Sequence, residues 1–158
     1  MPRRLLSGLF LLPLLVAPLS GQQNYQSNST ASVPNGIAIR EIHVPAANDE
    51  WTSTGFRVSS GDCLMFSADT TRIRIGAGGG EVNALGNSVG TGALRAKIGT
   101  NSPITVGLRY WFCSKEQGLL KLKVADTRYD DNSGEFTAYV IRVPGQMLPP
   151  VEKYQEEN

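Results

Sequence analysis

The residues with the clearest chemical potential form one acidic loop in the last third of the chain. It contains Asp126, Asp130, Asp131 and Asn132, followed by Ser133-Gly134. Carboxylates this close repel one another by about 1 kcal/mol per pair near 4 Å even in water, so a loop either spreads them into solvent or arranges them around a cation. Calcium takes roughly 6–8 oxygen ligands of this kind. The sequence therefore predicts a calcium site, and the alternative is a solvated Asp/Asn-rich hairpin turn.

Other chemistries fit these residues less well. The loop lacks the glycine at the sixth position of an EF-hand. Asp130 and Asp131 are adjacent, which is a poor placement for flanking a glycosidic bond from two sides. The single histidine, His43, lies in a strand-like segment of its own and has no visible partner for base catalysis. We therefore predict that the protein is not an enzyme.

The elements that must position this loop have the two-residue periodicity of β-strands. About eight short strands alternate with turns rich in Gly, Pro, Asn, Asp and Ser, and no segment beyond the N-terminal leader has helical periodicity. The apolar phase slips between Ile39 and Ile42, which predicts a β-bulge there. This pattern favours an all-β sandwich or jelly roll. The predicted strands span 37–44, 51–58, 63–68, 71–75, 94–98, 106–113, 118–124 and 136–140.

A long glycine-rich loop, residues 76–92, interrupts the strands. It has no Gly-x-Gly-x-x-Gly motif that opens a helix, so it is not a phosphate-binding loop. Loops longer than about 12–15 residues are usually functional or disordered. We predict that this loop forms the rim of a binding site, with Glu81 and Asn83 among its polar groups.

Composition limits the classes of partner. The chain has 158 residues, enough for one domain with a core, and its 17 glycines and 9 prolines suit a turn-rich fold. The formal net charge is +1 and falls to −1 without Arg3 and Arg4. There is no basic run, so we predict neither a nucleic-acid nor a membrane partner.

The chain divides into four predicted parts. Residues 1–21 have a basic start, a short apolar run and small residues for cleavage, which indicate a signal peptide and a secreted or periplasmic protein. Residues 22–35 predict a flexible N-terminal segment, residues 36–144 the β-sandwich domain, and residues 145–158 a disordered tail. In an exported protein Cys63 and Cys113 are expected to pair, and the alternative is two buried free thiols.

Several stretches, taken in order, resemble one known family. They are residues 51–56 (Trp-Thr-Ser-Thr-Gly-Phe), 60–62 (Ser-Gly-Asp), 92–99 (Gly-Ala-Leu-Arg-Ala-Lys-Ile-Gly), 118–122 (Gly-Leu-Leu-Lys-Leu) and 126–136, the acidic loop with its following Glu-Phe. Together they resemble the PA-IL-like lectins, which are calcium-dependent, galactose-binding bacterial proteins. The resemblance runs from about Ile37 to Val143 and implies a galactose-binding-domain-like jelly-roll β-sandwich.

The resemblance also implies a site. Two neighbouring sugar hydroxyls would bind a calcium ion held by Asp126, Asp131 and Asn132, with Thr127 and a backbone carbonyl near Arg74 as further ligands. The carbohydrate contacts would come from Asp126, Asn132, Tyr129, Asn83 and Glu81. A homo-oligomer is consistent with the family.

Two functions follow as hypotheses. The first is a secreted, calcium-dependent protein that binds carbohydrate, either a galactose-like sugar or another glycan. The alternative is a non-catalytic structural or protein-binding β-sandwich that has lost the sugar site. The segment 76–92 contains neither the His nor the Gln that contact sugar in galactose-binding members, which favours the alternative.

Overall fold

The computed structural model describes residues 31–32 and 36–147. Within these residues the chain forms eleven β-strands and one short 3-10 helix. The strands are β1 (Ala31–Ser32), β2 (Ala38–Pro45), β3 (Thr52–Val58), β4 (Cys63–Ala68), β5 (Ile73–Arg74), β6 (Glu81–Val82), β7 (Leu94–Ile98), β8 (Ile104–Thr105), β9 (Arg109–Cys113), β10 (Gly118–Val124) and β11 (Glu135–Val143), and the 3-10 helix is Gly145–Met147.

The strands form two main antiparallel sheets and one small hairpin. The first sheet has the order β1-β2-β11-β4-β9, the second has the order β3-β10-β7-β8, and β5 pairs with β6. From β2 to β4 and from β8 to β11 successive strands alternate between the two main sheets, so these connections cross between layers, as in other β-sandwiches. The all-β sandwich prediction is confirmed.

The core lies between the two main sheets and explains the alternation in the sequence. In β10, Leu120, Leu122 and Val124 are fully buried, and the residues between them are more exposed. Phe136, Ala138 and Val140 of β11 face them from the other sheet. Each side chain of this size contributes roughly 1.5–3 kcal/mol by leaving water, so the two apolar faces hold the sheets together.

The predicted strands are all present, and the differences are informative. The strands β1, β6 and β8 were not predicted because two residues are too few to show a period. The bulge predicted between Ile39 and Ile42 is wrong, since β2 pairs with β11 in unbroken register. Ile39 simply lies on the outer face of the sheet, whereas Ile42 is buried. The irregular register is between β3 and β10, near Leu119.

The predicted disulfide is confirmed. Cys63 and Cys113 are bonded and are direct cross-strand partners on β4 and β9. Because β9 pairs only with β4 in its sheet, the bond fastens this edge strand to its one neighbour. Two free thiols are therefore excluded.

The terminal predictions fall mainly beyond the described residues. The signal peptide, residues 1–21, lies outside them, as does most of the segment 22–35, although Ala31–Ser32 pairs with β2. Of the predicted tail, only the 3-10 helix is described. Within the described part, no helix is long and apolar enough to span a membrane.

Candidate functional site

The acidic loop, residues 126–134, connects β10 to β11 and is held at its C-terminal end by backbone hydrogen bonds. Arg74 and Ser133 form an isolated antiparallel bridge, with N–H···O distances of 2.9 and 3.0 Å. The Ala46 amide donates to the Gly134 carbonyl at 2.9 Å. Gly134 has φ of 89°, which an L side chain rarely adopts, so glycine suits this position. The hydrogen-bonded turn of the loop lies earlier, at Asp130-Asp131, where the Asn132 amide donates to the Tyr129 carbonyl at 3.3 Å.

Asn132 is the hub of the loop and is only 7% exposed. Its Oδ1 accepts a hydrogen bond from the Gly76 amide at 2.9 Å. Its Nδ2 lies 2.9 Å from Asp126 Oδ2, 3.1 Å from the Arg128 carbonyl and 3.2 Å from the Ala46 carbonyl. One amide group therefore connects the loop to the end of β2 and to the start of the glycine-rich loop.

The Asp126 carboxylate is surrounded by N–H donors. Its Oδ1 accepts from the Thr127 amide at 2.6 Å and from the Arg128 amide at 3.3 Å, while Oδ2 accepts from Asn132. These bonds form a small turn of the kind that Asp stabilises after a strand. They fix the carboxylate at the start of the loop.

Tyr129 folds back onto the same turn. Its hydroxyl donates to the Asp126 carbonyl at 2.6 Å and accepts from the Asp126 amide at 3.1 Å. The Lys123 ammonium lies 4.2 Å from the centre of the ring, a cation–π contact. The ring is thus held in place beside Asp126, with a cation over one face.

Arg128 neutralises the other two carboxylates. It donates to Asp130 at 2.8 and 3.2 Å and lies 3.6 Å from Asp131 Oδ2. The hydrogen bond raises the pKa of Arg128 and lowers the pKa of Asp130, because each charged form stabilises the other. Asp130 is exposed, whereas the Asp131 side chain is only 19% exposed.

Two shallow cavities flank Asp126. One, of about 210 Å³, lies between the acidic loop and the end of the glycine-rich loop and is lined by Val89, Thr91, Arg95 and Thr127. The other, of about 130 Å³, also includes Asp126 and is lined by Trp51, Lys123 and Tyr129 among others. A small polar ligand in either cavity would touch Asp126.

The structure brings together most, but not all, of the predicted site residues. Asp126, Thr127, Asp131 and Asn132 share the loop, and Arg74 is its bridging neighbour. The carbonyl of Arg74 accepts the Ser133 amide. Glu81 and Asn83, both described in the structure, line neither of the two cavities.

Glu81 and Asn83 instead have local roles. Glu81 lies opposite Arg74 in the β5–β6 hairpin, and Asn83 Oδ1 accepts the Leu85 amide at 3.0 Å in a turn. The later part of the glycine-rich loop, from Val89 to Thr91, forms the rim beside Asp126. This part belongs to the loop 76–92 that the sequence predicted as a rim, although Glu81 and Asn83 were the residues singled out in it. Sequence reasoning missed Trp51, Arg95 and the backbone groups of Ala46 and Gly76. Backbone groups are present at every residue, so no sequence signal could have identified them.

The carboxylate, amide and carbonyl oxygens of the loop are of the types that bind calcium. These oxygens are already hydrogen-bonded to N–H groups of the protein, which a cation would have to displace. Three oxygens, from Asp126, Arg128 and Ala46, converge on the single Asn132 Nδ2. A cation would meet these oxygens only if the Asn132 amide moved away from them and Arg128 released Asp131. Among the described residues, no group of three His, Cys, Asp or Glu side chains is placed to hold a metal ion, so ligands would have to include amide and backbone oxygens.

Comparison with known proteins shows similarity at the level of solved structures. No family model matches the chain. No curated protein matches it either. Among solved structures, the N-terminal domain of EclA, described as a PllA-like lectin, is similar with a TM-score of 0.53 and 28% sequence identity. The match covers 65% of this chain and 95% of that domain. The chain therefore has a lectin-like β-sandwich fold.

Proposed function

We propose that this protein is a non-catalytic carbohydrate-binding protein of the lectin type. The similarity to a lectin domain, over 95% of that domain's length, carries the proposal. The two cavities lined by Asp126 support it, because they provide recesses bordered by polar side chains, an arrangement suited to a small sugar.

The proposed site is the acidic loop with a calcium ion. Asp126, Asp131 and Asn132 would hold the ion through side-chain oxygens, with Thr127 and a carbonyl near Arg74 contributing further oxygens. Calcium supplies open coordination positions that fix two neighbouring sugar hydroxyls at once. Tyr129, whose ring is held beside Asp126, would back the apolar side of the sugar.

The proposal extends to the family, the sugar, the location and the oligomeric state. A PA-IL-like lectin would bind a galactose-like sugar or another glycan and would be secreted or periplasmic. A homo-oligomer would raise the avidity for a multivalent glycan without any new contact.

Thermal unfolding of residues 22–158 with calcium and then with chelator tests the metal site. A ligand that binds only the folded state stabilises it by about 2.7 kcal/mol at a hundred times its Kd. In a domain of this size that corresponds to a rise in Tm of roughly 10 °C. Isothermal titration with a panel of simple sugars, in calcium and in chelator, then tests carbohydrate binding.

Two variants of the same loop locate the site. Asp126→Asn removes a proposed ligand charge and is expected to abolish the calcium-dependent rise in Tm. Asp130→Asn removes an equally short carboxylate that is exposed and paired with Arg128, and is expected to leave the rise unchanged. Equal behaviour of the two variants would argue against a site at Asp126.

A specific observation favours a second function, a structural or protein-binding scaffold. Asp126 Oδ1 and Oδ2 and Asn132 Oδ1 all accept N–H donors from the protein itself, so the loop is self-satisfied without a cation. Identical melts with calcium and chelator, together with no sugar binding in either condition, would support the scaffold and reject the lectin.

A further inference from the structure

The outer face of the five-stranded sheet carries an apolar row that the core does not use. The strand register places Ile39, Ile141, Met65 and Trp111 side by side across β2, β11, β4 and β9. Cross-strand partners point to the same face of a sheet. Met65 is 50% exposed and Trp111 is 71% exposed, so this row faces outward.

A polar row runs parallel to the apolar row, two residues along each strand. It consists of Glu41, Tyr139, Ser67 and Arg109, which are also direct cross-strand partners. Two residues along a strand correspond to roughly 7 Å, so each apolar side chain has a hydrogen-bonding group beside it. The face is amphipathic on the scale of a single sugar ring.

The two rows border a cavity of about 420 Å³. This volume is within the range of about 300–1,000 Å³ that is typical of ligand sites. Its lining includes Met65, Ser67, Arg109, Trp111 and Tyr139. The cavity is separate from those at Asp126, since none of its lining residues lines either of them.

The two ends of the cavity differ in charge. Glu41 and Asp69 lie close enough to raise the pKa of Tyr139 at one end, whereas Arg109 stands at the other end. Arg109 is the only lining residue that is charged at neutral pH. Within residues 36–147, Arg109 has no carboxylate within ion-pair distance. Glu41, at the other end of the polar row, lies outside the lining and has His43 Nε2 at 3.3 Å. An anion is therefore the complementary ligand at the Arg109 end.

We propose that this face binds an acidic glycan, with a uronate ring against Trp111 and its carboxylate paired with Arg109. A pyranose ring has an apolar C–H face, which suits the indole, and a rim of hydroxyls, which suits Ser67 and the Tyr139 hydroxyl. The guanidinium recognises a carboxylate through parallel N–H···O bonds. The proposal rests on the proposed lectin function for one point only, that the ligand is a carbohydrate. It is otherwise independent of that function, because this site needs no calcium.

The row of polar groups distinguishes this ligand from a purely apolar partner. A second copy of the chain seated on the face would cover Arg109 and Ser67 as well as Trp111, and would have to supply partners for them. A uronate supplies both a carboxylate and hydroxyls. Dimerisation through this face is therefore the competing outcome of the experiment.

The experiment is isothermal titration of the full chain in chelator with a galacturonate trisaccharide. Its fully methyl-esterified form, which keeps the rings and loses the charge, is the matched ligand. We expect the acid to bind at least about tenfold more tightly than the ester, with the difference shrinking as salt rises, because Arg109 is exposed. The NMR signal of the Trp111 indole N–H is expected to shift on binding. It is assigned as the indole signal that is missing from the spectrum of Trp111→Phe.

Three variants locate the interaction. Trp111→Ala is expected to abolish binding of both ligands without a loss of Tm, since the side chain is mostly exposed. Arg109→Gln is expected to make acid and ester bind equally. Arg57→Gln changes an exposed arginine of the opposite sheet and is expected to leave binding unchanged.

Several outcomes would overturn the proposal. One is absence of acid binding by the parent chain, and another is equal loss in the Arg57 and Arg109 variants. A third is dimerisation through Trp111. In that case the Trp111 signal would change with protein concentration, sedimentation would show dimers, and Trp111→Ala would dissociate them, which would identify the face as an interface between two copies of the chain. Calcium-dependent binding of neutral sugars at Asp126 is measured separately, so failure of one proposal does not affect the other.

Discussion

Asn132 and Asp126 are joined by a hydrogen bond of 2.9 Å between Nδ2 and Oδ2, and this bond closes the acidic loop on itself. The same amide receives the Gly76 N–H. A residue predicted as a metal ligand is thus also the main structural support of its loop. Its substitution therefore affects stability as well as binding.

Replacing Asn132 by alanine is expected to lower the free energy of unfolding by about 2–3 kcal/mol. The change leaves the half-buried Gly76 amide and the oxygens that Asn132 Nδ2 contacts without their partner, and each buried group left unpaired costs about 1–3 kcal/mol. Urea unfolding in chelator is the measurement. Asn101→Ala is the control, because the Asn101 side chain makes no hydrogen bond to the protein within residues 36–147, and a loss as large as that of Asn132→Ala would contradict the structural role.

Acid is expected to weaken the fold through Asp62. Its carboxylate accepts hydrogen bonds from Ser59 N at 2.9 Å, Arg142 Nε at 2.7 Å and Gly145 N at 3.1 Å. Burial by itself raises the pKa of Asp62, but the hydrogen bonds from Ser59, Arg142 and Gly145 outweigh it, so the pKa is lowered from 3.8. The stabilisation is therefore complete above the unfolded pKa of about 4 and is lost as pH falls through the lower folded value.

The variant Asp62→Asn tests this linkage in urea unfolding from pH 7 to pH 2.5. It is expected to lose about 2–3 kcal/mol at pH 7, below the usual 3–5 kcal/mol for a broken buried pair. The loss is smaller because the Arg142 side chain is 27% exposed. The variant should also show less acid dependence than the parent below pH 4, whereas Glu50→Gln, an exposed change, should keep the parent's profile. A parallel acid profile for Asp62→Asn would disprove the linkage.

Removing the disulfide with Cys63→Ser and Cys113→Ser is expected to cost about 4 kcal/mol. The bond closes a loop with a sequence separation of 50. In the chain-entropy model, losing the bond raises the entropy of the unfolded chain and so lowers its free energy by that amount. Denaturant unfolding of the oxidised and reduced parent and of the double variant is the measurement. The reduced parent should match the variant, and a change below about 1 kcal/mol would contradict the entropic account.

Two leucines on one strand separate burial from strand propensity. Leu122 is fully buried between the sheets, and Leu119 is 40% exposed on the same strand, β10. Leu122→Ala is expected to cost about 2–5 kcal/mol through lost transfer energy and the cavity left behind, and Leu119→Ala less than about 1 kcal/mol. Chemical denaturation gives both values. Similar losses would show that the side chain's burial is not what decides them.

The sequence by itself determined the strands and the loop that carries the candidate site. Alternation in 118–124 and 136–140 has a local cause, because a half-buried strand shows its two faces within a few residues. The positive φ at Gly134 is also a local feature, since only the backbone of that glycine has to adopt it. The pairing of Cys63 with Cys113 followed from the number of cysteines and the expected compartment.

Only the tertiary structure decided which residues from distant segments meet. The phase slip at Ile39 looked like a bulge, but Ile39 belongs to an outer apolar row that exists only when β2, β11, β4 and β9 lie in register. Likewise, the backbone groups of Ala46 and Gly76 became partners of Asn132 through pairing across the fold. Every residue has such groups, so their use depends on strand register and loop closure, which a one-dimensional pattern does not contain.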